Sequence, residues 1–214
     1  MMYNSPVLVV GLTGNYGMGK STVLGLFREL GAVTLKTDGI VDLLLHDAGV
    51  LTKLRQILGD SAFADDGTLI KAKVAAAIFR DRGLREAVEG LLHPLVFEKI
   101  ADILGKLRKE GADKKVVVVE IPLLFEKEYS RRFGKTVTVY TDLETALSRL
   151  GEKGVSRNDA LSRLSAQMPV EEKIGMSDLA IDNSGTLDET RKQVVKVFEA
   201  LKLIGERDDR HSGA

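Results

Sequence analysis

The chain has 214 residues, of which 44% are hydrophobic and 29% charged, as is typical of a globular protein with a sizeable core. Its 31 basic residues balance 31 acidic ones, which argues against a general nucleic-acid-binding protein. The absence of cysteine excludes disulfides and cysteine-ligated metals and fits a reducing cytosol. Residues 1–6 lack a basic n-region and Val7–Leu12 is too short to span a bilayer, so we expect a cytoplasmic protein with no membrane partner.

Apolar, β-rich runs without strict polar alternation predict buried strands, and helical patterns separate them. The predicted strands are Val7–Leu12, Ala32–Leu35, Val116–Ile121, Val137–Tyr140 and Leu179–Ile181. A helix is expected at Thr22–Leu30 after the first strand, and a C-terminal helix at about Leu187–Leu203 precedes a polar, frayed tail at 205–214. This order predicts an α/β fold with a parallel sheet flanked by helices.

The loop after the first strand is a phosphate-binding motif. Gly14-Asn15-Tyr16-Gly17-Met18-Gly19-Lys20-Ser21 fits G-x-x-x-x-G-K-[ST], with a strand before it and a helix after it. Its backbone N–H groups and the helix N-terminus should bind a polyphosphate, with Lys20 reaching the β- and γ-phosphates and Ser21 offering its hydroxyl to Mg²⁺. The predicted ATP-binding residues are Asn15, Tyr16, Gly17, Met18, Gly19, Lys20, Ser21 and Thr22.

About 80 residues between the second and third predicted strands contain no convincing strand. Helices are expected there at Val41–Leu45, Leu51–Leu58, Ala72–Phe79, Leu84–Leu92 and Leu95–Leu107. One crossover helix would suffice to connect two parallel strands. We therefore predict a helical insertion at 46–111 that binds a second substrate, within a core formed by 1–45 and 112–204.

A second excursion from the core, at about 150–175, is flanked by basic residues and contains a Gly-rich bend. One interpretation is a lid that neutralises phosphate charge and excludes water from a kinase site. The other is a solvated helical surface, which the nearby acids Glu152, Asp159, Glu171 and Glu172 favour. The basic residues concerned are Arg149, Lys153, Arg157 and Arg163.

Two acids follow predicted strands, where ligands of parallel sheets gather. Asp38 could accept a proton from an attacking hydroxyl or hold a Mg²⁺-bound water, or it could be only the N-cap of the next helix. Glu120 ends Val116–Val119 in the manner of a Walker B strand, whose terminal acid orients Mg²⁺, although that acid is normally Asp. An acid after a buried strand is also common in α/β proteins without a metal role.

Two further residues, His93 and Glu126, each allow a structural and a functional interpretation. His93 precedes Pro94, which suits the first turn of a helix, and a lone His is more often structural than catalytic. No metal-ligand spacing surrounds it. Glu126, after Pro122–Phe125, is either a surface acid or part of a substrate pocket.

Seven short segments occur in a specific order and spacing: Thr13–Thr22, Thr37-Asp38, Asp66-Gly67-Thr68-Leu69, Leu92-His93-Pro94-Leu95-Val96, Ile121–Glu126, Arg163–Pro169 with Gln167, and Ile181-Asp182-Asn183-Ser184-Gly185. On these segments the chain resembles the dephospho-coenzyme A kinase family of P-loop kinases from about Val7 to Leu203. The resemblance implies transfer of the γ-phosphoryl of ATP to the 3′-hydroxyl of dephospho-coenzyme A, the last step of coenzyme A synthesis. It also implies a P-loop core, a helical substrate region and a lid.

The resemblance also implies roles for individual residues. Lys20, Asp38 as the base, and the lid residues Arg149 and Arg163 would be catalytic, and Ser21 and Glu120 would hold Mg²⁺. The acceptor would contact Asp38, Lys71, His93, Leu123 and Glu126. We expect no nucleic-acid partner and a monomer or small homo-oligomer.

The chain departs from the family pattern at three lysines. Lys36 stands where the family often has the first acid of Asp-x-Asp, and Lys71 and Lys153 stand where Arg is usual. Because Lys is a poorer bidentate phosphate ligand than Arg, these changes bear on affinity and rate more than on reaction type.

Two other P-loop functions are alternatives. A nucleoside monophosphate kinase would share the core and lid but use a different acceptor. A GTPase-type switch would need the guanine-binding tetrapeptide Asn-Lys-x-Asp, which is absent from the sequence.

Overall fold

The computed structural model describes residues 7–110 and 116–211, and it divides into two compact units. The core unit comprises residues 1–36 and 107–214, and the helical unit comprises residues 37–106. The observed helical unit thus begins at Thr37, whereas the predicted insertion begins at residue 46 and ends at 111. Residues 1–6, considered above as a targeting segment, and residues 212–214 of the predicted tail lie outside the described part of the chain.

The core unit contains the predicted five-stranded parallel sheet, with strand order β2-β3-β1-β4-β5. The strands are β1 (Leu8–Thr13), β2 (Val33–Lys36), β3 (Val116–Glu120), β4 (Lys135–Tyr140) and β5 (Leu179–Asp182). Each lies within two residues of its predicted position, which confirms the α/β prediction. Glu120 is in register with both Leu12 and Lys36, so β1, β2 and β3 end at the same edge.

Two helices of the core unit share an apolar core with the sheet. They are α1 (Lys20–Glu29) and α9 (Leu187–His211). Phe27 of α1 is fully buried and meets Phe198 of α9 edge to face, with ring centroids 6.3 Å apart. Such aromatic contacts add to the free energy of apolar burial. This packing holds α1 and α9 against the sheet.

The end predicted for α9 was wrong. The helix continues to His211, through the segment that we expected to be frayed from residue 205. Gly205 lies inside the observed helix. A single glycine inside a helix costs only about 1 kcal/mol relative to alanine, so it does not stop a helix anchored by its buried face.

The helical unit contains α2 (Thr37–Leu44), α3 (Ala48–Leu58), α4 (Lys71–Arg80) and most of α5 (Arg82–Lys109). Its own core includes Val50 and Leu54 of α3, Phe63, and Val88 and Leu92 of α5. Each helix expected between the second and third strands is present, but the last two are one helix.

Pro94 lies inside α5 rather than in a first turn, so the prediction of separate helices at Leu84–Leu92 and Leu95–Leu107 was wrong. Proline removes one backbone hydrogen bond, here the bond that the Gly90 carbonyl would accept from residue 94. Buried side chains on both sides of Pro94, among them Leu92, Val96 and Ile100, hold the helix through that position. Tertiary packing therefore overrides the local preference.

The predicted excursion, called here the lid segment (residues 150–175), is largely helical. It begins at the end of α6 (Leu143–Gly151) and includes α7 (Arg157–Ser165) and most of α8 (Val170–Met176). Asp142 and Ser156 cap α6 and α7 by accepting hydrogen bonds from the amides of Thr145 and Asp159. The bonds from Thr145 also lower the pKa of the Asp142 carboxyl.

A buried ion pair ties α8 to the segment that follows β3. Lys173 of α8 is fully buried, and its Nζ lies 2.7 Å from Oε1 of Glu126, whose side chain is 17% exposed. The ammonium also donates to the Pro122 carbonyl oxygen at 3.4 Å, and the Met168 amide donates to Glu126 Oε1 at 3.2 Å. Glu126 is therefore not a bare surface acid, and its Oε2 atom is buried with no hydrogen-bond partner among the described residues. It joins the end of the lid segment to the sheet.

We predict that this pair shows strong energetic coupling. Lys173→Met leaves the Glu126 carboxylate buried without its cation, and Glu126→Gln leaves the ammonium without its anion. Each should lower the free energy of unfolding by about 3–5 kcal/mol, and the double variant should lose less than the sum because no unpaired charge remains. Urea denaturation measures this, with Lys196→Met on the exposed face of α9 as the control. Additive losses would contradict the assignment.

Candidate active site

The glycine motif forms a loop between β1 and α1 and extends into the first turn of that helix. Gly19 is the N-cap of α1 and has φ 84°, and Gly14 has φ 144°. A Cβ atom at Gly14 would overlap the Val139 carbonyl oxygen, and one at Gly19 would overlap the Asn183 amide. Both positions therefore require glycine. The loop places Asn15–Gly19 before the helix and Lys20, Ser21 and Thr22 in its first turn, so α1 begins two residues before the predicted start at Thr22.

Side chains from distant parts of the core unit hold the loop. Asn15 Nδ2 donates to the Met168 carbonyl at 2.9 Å, and the Tyr16 amide donates to Gln167 Oε1 at 2.8 Å. Both partners belong to the lid segment, so two hydrogen bonds, both donated by the loop, join the loop to the lid segment. The Oδ1 atom of Asn15 is buried with no hydrogen-bond partner among the described residues.

A second support comes from the loop after β5. Buried Asn183 donates from Nδ2 to the Met18 carbonyl at 3.0 Å, and Thr190 Oγ1 donates to Asn183 Oδ1 at 2.9 Å. Asn183 and Gln167 belong to segments that carry the family resemblance, but the sequence alone predicts no role for either residue. A polar residue directly after a buried strand was the signal available for Asn183.

Three polar side chains meet where α1 begins beside the ends of β2 and β3. Ser21 Oγ lies 3.4 Å from Glu120 Oε2, to which it donates, and it accepts a hydrogen bond from Lys36 Nζ at 3.2 Å. Lys20 Nζ donates to the Asn15 carbonyl at 3.1 Å. The structure thus brings the predicted metal ligands Ser21 and Glu120 together. It adds the ammonium of Lys36, which the sequence marks only as a departure from the family pattern.

The side chains of Ser21, Glu120 and Lys36 together suit Mg²⁺ only in part. Mg²⁺ is commonly held by one or two carboxylates together with waters and substrate phosphates, so a hydroxyl and one carboxylate are a sufficient protein contribution. In the described part of the chain, no three His, Cys, Asp or Glu residues cluster as a metal site. The Lys36 ammonium, however, occupies hydrogen-bonding space on the same Ser21 hydroxyl.

A pocket of about 250 Å³ opens beside the glycine loop. Arg149 of α6 lines it, and the Nη1 atom of that side chain is buried with no hydrogen-bond partner among the described residues. A buried guanidinium nitrogen without a partner is costly, so an acceptor oxygen of a ligand in the pocket would stabilise it. The lining residues are Gly17, Gly19, Thr22, Arg149, Glu152, Lys153, Asn183, Gly185 and Leu187.

The basic residues predicted for the lid have three different environments. Arg149 and Lys153 line the pocket, whereas the Arg163 guanidinium stacks on Tyr16 at 5.2 Å from the ring centroid and donates to its hydroxyl at 3.3 Å. Arg157 makes two hydrogen bonds to the exposed Glu144, and these bonds lower the pKa of the Glu144 carboxyl. For Arg157, the solvated-surface interpretation is therefore the better one.

The residues predicted to contact the acceptor are distributed over both units. In the helical unit, exposed Asp38 lies in the first turn of α2, half-buried His93 lies inside α5, and Lys71 pairs with Asp42. Asp38 is inside the helix rather than at the position before it, so the N-cap interpretation was wrong, although an acid in a first turn still complements the helix dipole. In the core unit, Leu123 is half-buried in the segment after β3.

Comparisons with known proteins agree with the motif order. The sequence model of the family described as dephospho-CoA kinase matches residues 8–189. The dephospho-CoA kinase of Carboxydothermus hydrogenoformans is 34% identical over 196 residues, covering 91% of this chain and 94% of that protein. That of Aquifex aeolicus is 34% identical over 193 residues, covering 90% and 96%.

Solved structures extend the comparison to the fold. The Thermus thermophilus protein TT1252 matches with a TM-score of 0.81 and 32% identity, covering 90% of this chain and 96% of that one. Dephospho-CoA kinase from Campylobacter jejuni matches with a TM-score of 0.67 and 26% identity, covering 92% and 98%. The family model extends from the start of β1 to the start of α9, and these two curated relatives match 91% and 90% of the chain. This chain therefore belongs to the dephospho-CoA kinase family.

Proposed function

We propose that the protein transfers the γ-phosphoryl group of ATP to the 3′-hydroxyl of dephospho-coenzyme A, giving coenzyme A and ADP in the last step of coenzyme A synthesis. The observation that carries this proposal is the intact glycine loop, held between the sheet edge and the lid segment, in a chain of this family. The alternative of a GTPase-type switch has no support from the family match. No helix in the described residues is long and apolar enough to cross a membrane, and we propose a cytoplasmic monomer or small homo-oligomer.

We propose that Asn15–Thr22 bind the polyphosphate of ATP and that the neighbouring pocket binds its nucleoside. The loop amides and the N-terminus of α1 present positive dipole ends to the phosphates. Lys20 adds a charge beside the β- and γ-phosphates. The unpartnered Nη1 of Arg149 supports a phosphate or ribose oxygen as its acceptor, because that atom lines the pocket beside Gly19.

Ser21 and Glu120 are the residues that would hold Mg²⁺ accompanying ATP, through the hydroxyl and carboxylate oxygens that lie 3.4 Å apart. When bound, Mg²⁺ would neutralise charge on the phosphates during transfer. We assign the proton transfer and the binding of the acceptor to side chains of the protein.

In the transfer, the acceptor hydroxyl oxygen forms a bond to the γ-phosphorus as the bond between that phosphorus and the β,γ-bridging oxygen breaks, and ADP leaves. We assign Asp38 as the base that accepts the hydroxyl proton. The chain passes directly from Lys36 at the sheet edge to Asp38, whose carboxylate is exposed. We further propose that the helical unit binds the acceptor through His93 and Lys71, and that Leu123 and Glu126 contribute from the segment after β3.

The lid segment would supply cations as the phosphoryl group moves and would exclude water that otherwise hydrolyses ATP. We assign this role to Arg149 and Lys153 in the pocket and to Arg163 beside the loop. The stacking of Arg163 on Tyr16 supports this role, because it keeps the guanidinium next to a predicted ATP-binding residue.

The experiment that tests the proposal is ADP release from ATP, coupled to a dehydrogenase assay, with different acceptors. We expect turnover with dephospho-coenzyme A and little with AMP or shikimate. Preferential phosphorylation of AMP would instead establish the nucleoside monophosphate kinase alternative.

Lys20→Ala should lower turnover by roughly 10²- to 10³-fold while the protein remains folded. The substitution removes a charge that stabilises the transferring phosphates and creates no cavity in the core. Steady-state kinetics give the rate, and a thermal melt serves as the control for folding. A folded variant with near-normal turnover would argue against the phosphate-binding assignment.

Asp38→Asn should retain ATP binding and lower turnover at saturation by roughly 10²- to 10⁴-fold, because an amide cannot accept the acceptor proton. The matched control is Asp102→Asn, which neutralises an exposed acid on α5 of the same unit. Calorimetric titration with ATP and initial rates distinguish the two effects. Weaker ATP binding with unchanged saturated turnover would make Asp38 a binding residue.

Arg149→Ala should lower turnover by roughly 10²- to 10³-fold, and Arg149→Lys should recover only part of it, because an ammonium lacks the planar fork of arginine. Arg157→Ala is the matched control on the lid segment, since its partner is the exposed Glu144. It should change stability by less than about 0.5 kcal/mol and leave turnover intact. Equal losses in Arg149→Ala and Arg157→Ala would show a general effect on the lid segment.

A further inference from the structure

Lys36 lies at the point where the predicted metal ligands meet. It is the last residue of β2, is in register with Glu120, and is exposed. Its Nζ donates to Ser21 Oγ at 3.2 Å, and Ser21 directly follows Lys20 in the first turn of α1. An ammonium has three donors, and the Ser21 hydroxyl uses one of them. Among the described residues the Lys36 ammonium hydrogen-bonds Ser21, and its remaining donors could reach a group bound at the start of α1.

The Lys36 ammonium lies where it disfavours a Mg²⁺ ion coordinated by both Ser21 and Glu120. A divalent cation on the Ser21 hydroxyl would stand next to a positive charge that hydrogen-bonds the same oxygen. The two cations repel each other, and they compete for the lone pairs of the Ser21 hydroxyl. A polyphosphate between them would be attractive to both. The ammonium is therefore suited to bind the anion that Mg²⁺ otherwise neutralises.

We propose that Lys36 is a second phosphate-binding lysine of this enzyme, which lets it bind ATP with reduced dependence on Mg²⁺. The inference rests on the proposed function, because it assumes that ATP occupies the glycine loop. Lys20 contacts the phosphates from within the loop, and Lys36 reaches them from the neighbouring strand end. Lys36 thus supplies to the nucleotide part of the charge that a divalent ion would bring.

The competing explanation is that Lys36 only anchors Ser21. An anchor would support the loop equally whether or not Mg²⁺ is bound. A phosphate ligand would matter most when Mg²⁺ is absent, because no other added cation then balances the nucleotide charge. The two explanations therefore differ in how the effect of Lys36 depends on the metal.

The test is calorimetric titration of the full chain with ATP, once with excess EDTA and once with excess Mg²⁺. Lys36→Met should weaken ATP binding in EDTA by roughly 10- to 100-fold, the expected loss for a charge-assisted hydrogen bond. In Mg²⁺ the same variant should bind ATP as well as or better than the wild type. Lys36→Arg keeps the charge and should behave like the wild type in both buffers.

The matched control is Lys196→Met, which removes one lysine charge from the exposed face of α9 in the same unit. It should leave both affinities within about twofold of the wild type. Equal weakening by Lys36→Met in both buffers, or no weakening in EDTA, would overturn the proposal and leave the proposed function standing. A wild-type protein that binds no ATP in either buffer would overturn both. Thermal melts of the variants exclude unfolding as the cause.

Discussion

The chain can present its glycine loop to a phosphate only because hydrogen bonds from outside the loop fix its backbone. Amide groups that converge on one point repel one another until an anion arrives, so a loop of this kind needs external support. Asn183 supplies it from the end of β5, and Gln167 with the Met168 carbonyl supplies it from the lid segment. A binding site held in place before ligand arrives avoids the free energy of reorganisation.

The same supports link the lid segment to the sheet. Gln167 and Met168 contact the loop, and Met168 also donates to Glu126, whose carboxylate pairs with buried Lys173. A continuous chain of polar contacts therefore runs from the phosphate-binding backbone to α8. A buried ion pair gains little net stability over apolar packing, but breaking it is costly. Its value here is that it fixes the register of α8 on the segment after β3.

The sequence predicted those features that local patterns determine. Apolar runs located the five strands to within two residues, and the spacing of Gly14, Gly19 and Lys20 identified the phosphate loop, because both signals lie within a few neighbouring residues. Features that depend on distant contacts were missed. The continuity of α5 through Pro94 reflects buried packing on both sides, and the burial of Lys173 depends on a carboxylate 47 positions away in the sequence, at Glu126.

The candidate site was predicted unevenly for the same reason. Ser21 and Glu120 could be placed together because parallel strands end at one edge, yet nothing local showed that Lys36 would hydrogen-bond the same hydroxyl. The basic residues of the lid segment looked alike in the sequence, and only their partners distinguish them. Arg157 is neutralised by Glu144, whereas Arg149 keeps a buried nitrogen without a partner among the described residues.

Charge placement explains how a chain with no net charge can bind a polyanion. Its 31 basic and 31 acidic residues balance overall, but Lys20, Lys36, Arg149 and Lys153 lie around the glycine loop and its pocket. The acids beside them, Glu120 and Glu152, are fewer, so the local field is positive where α1 begins. Mg²⁺ would increase this field and Lys36 already contributes to it. Lys36, at a position where the resemblance implies an acid, thus brings positive charge from the chain itself to the start of α1.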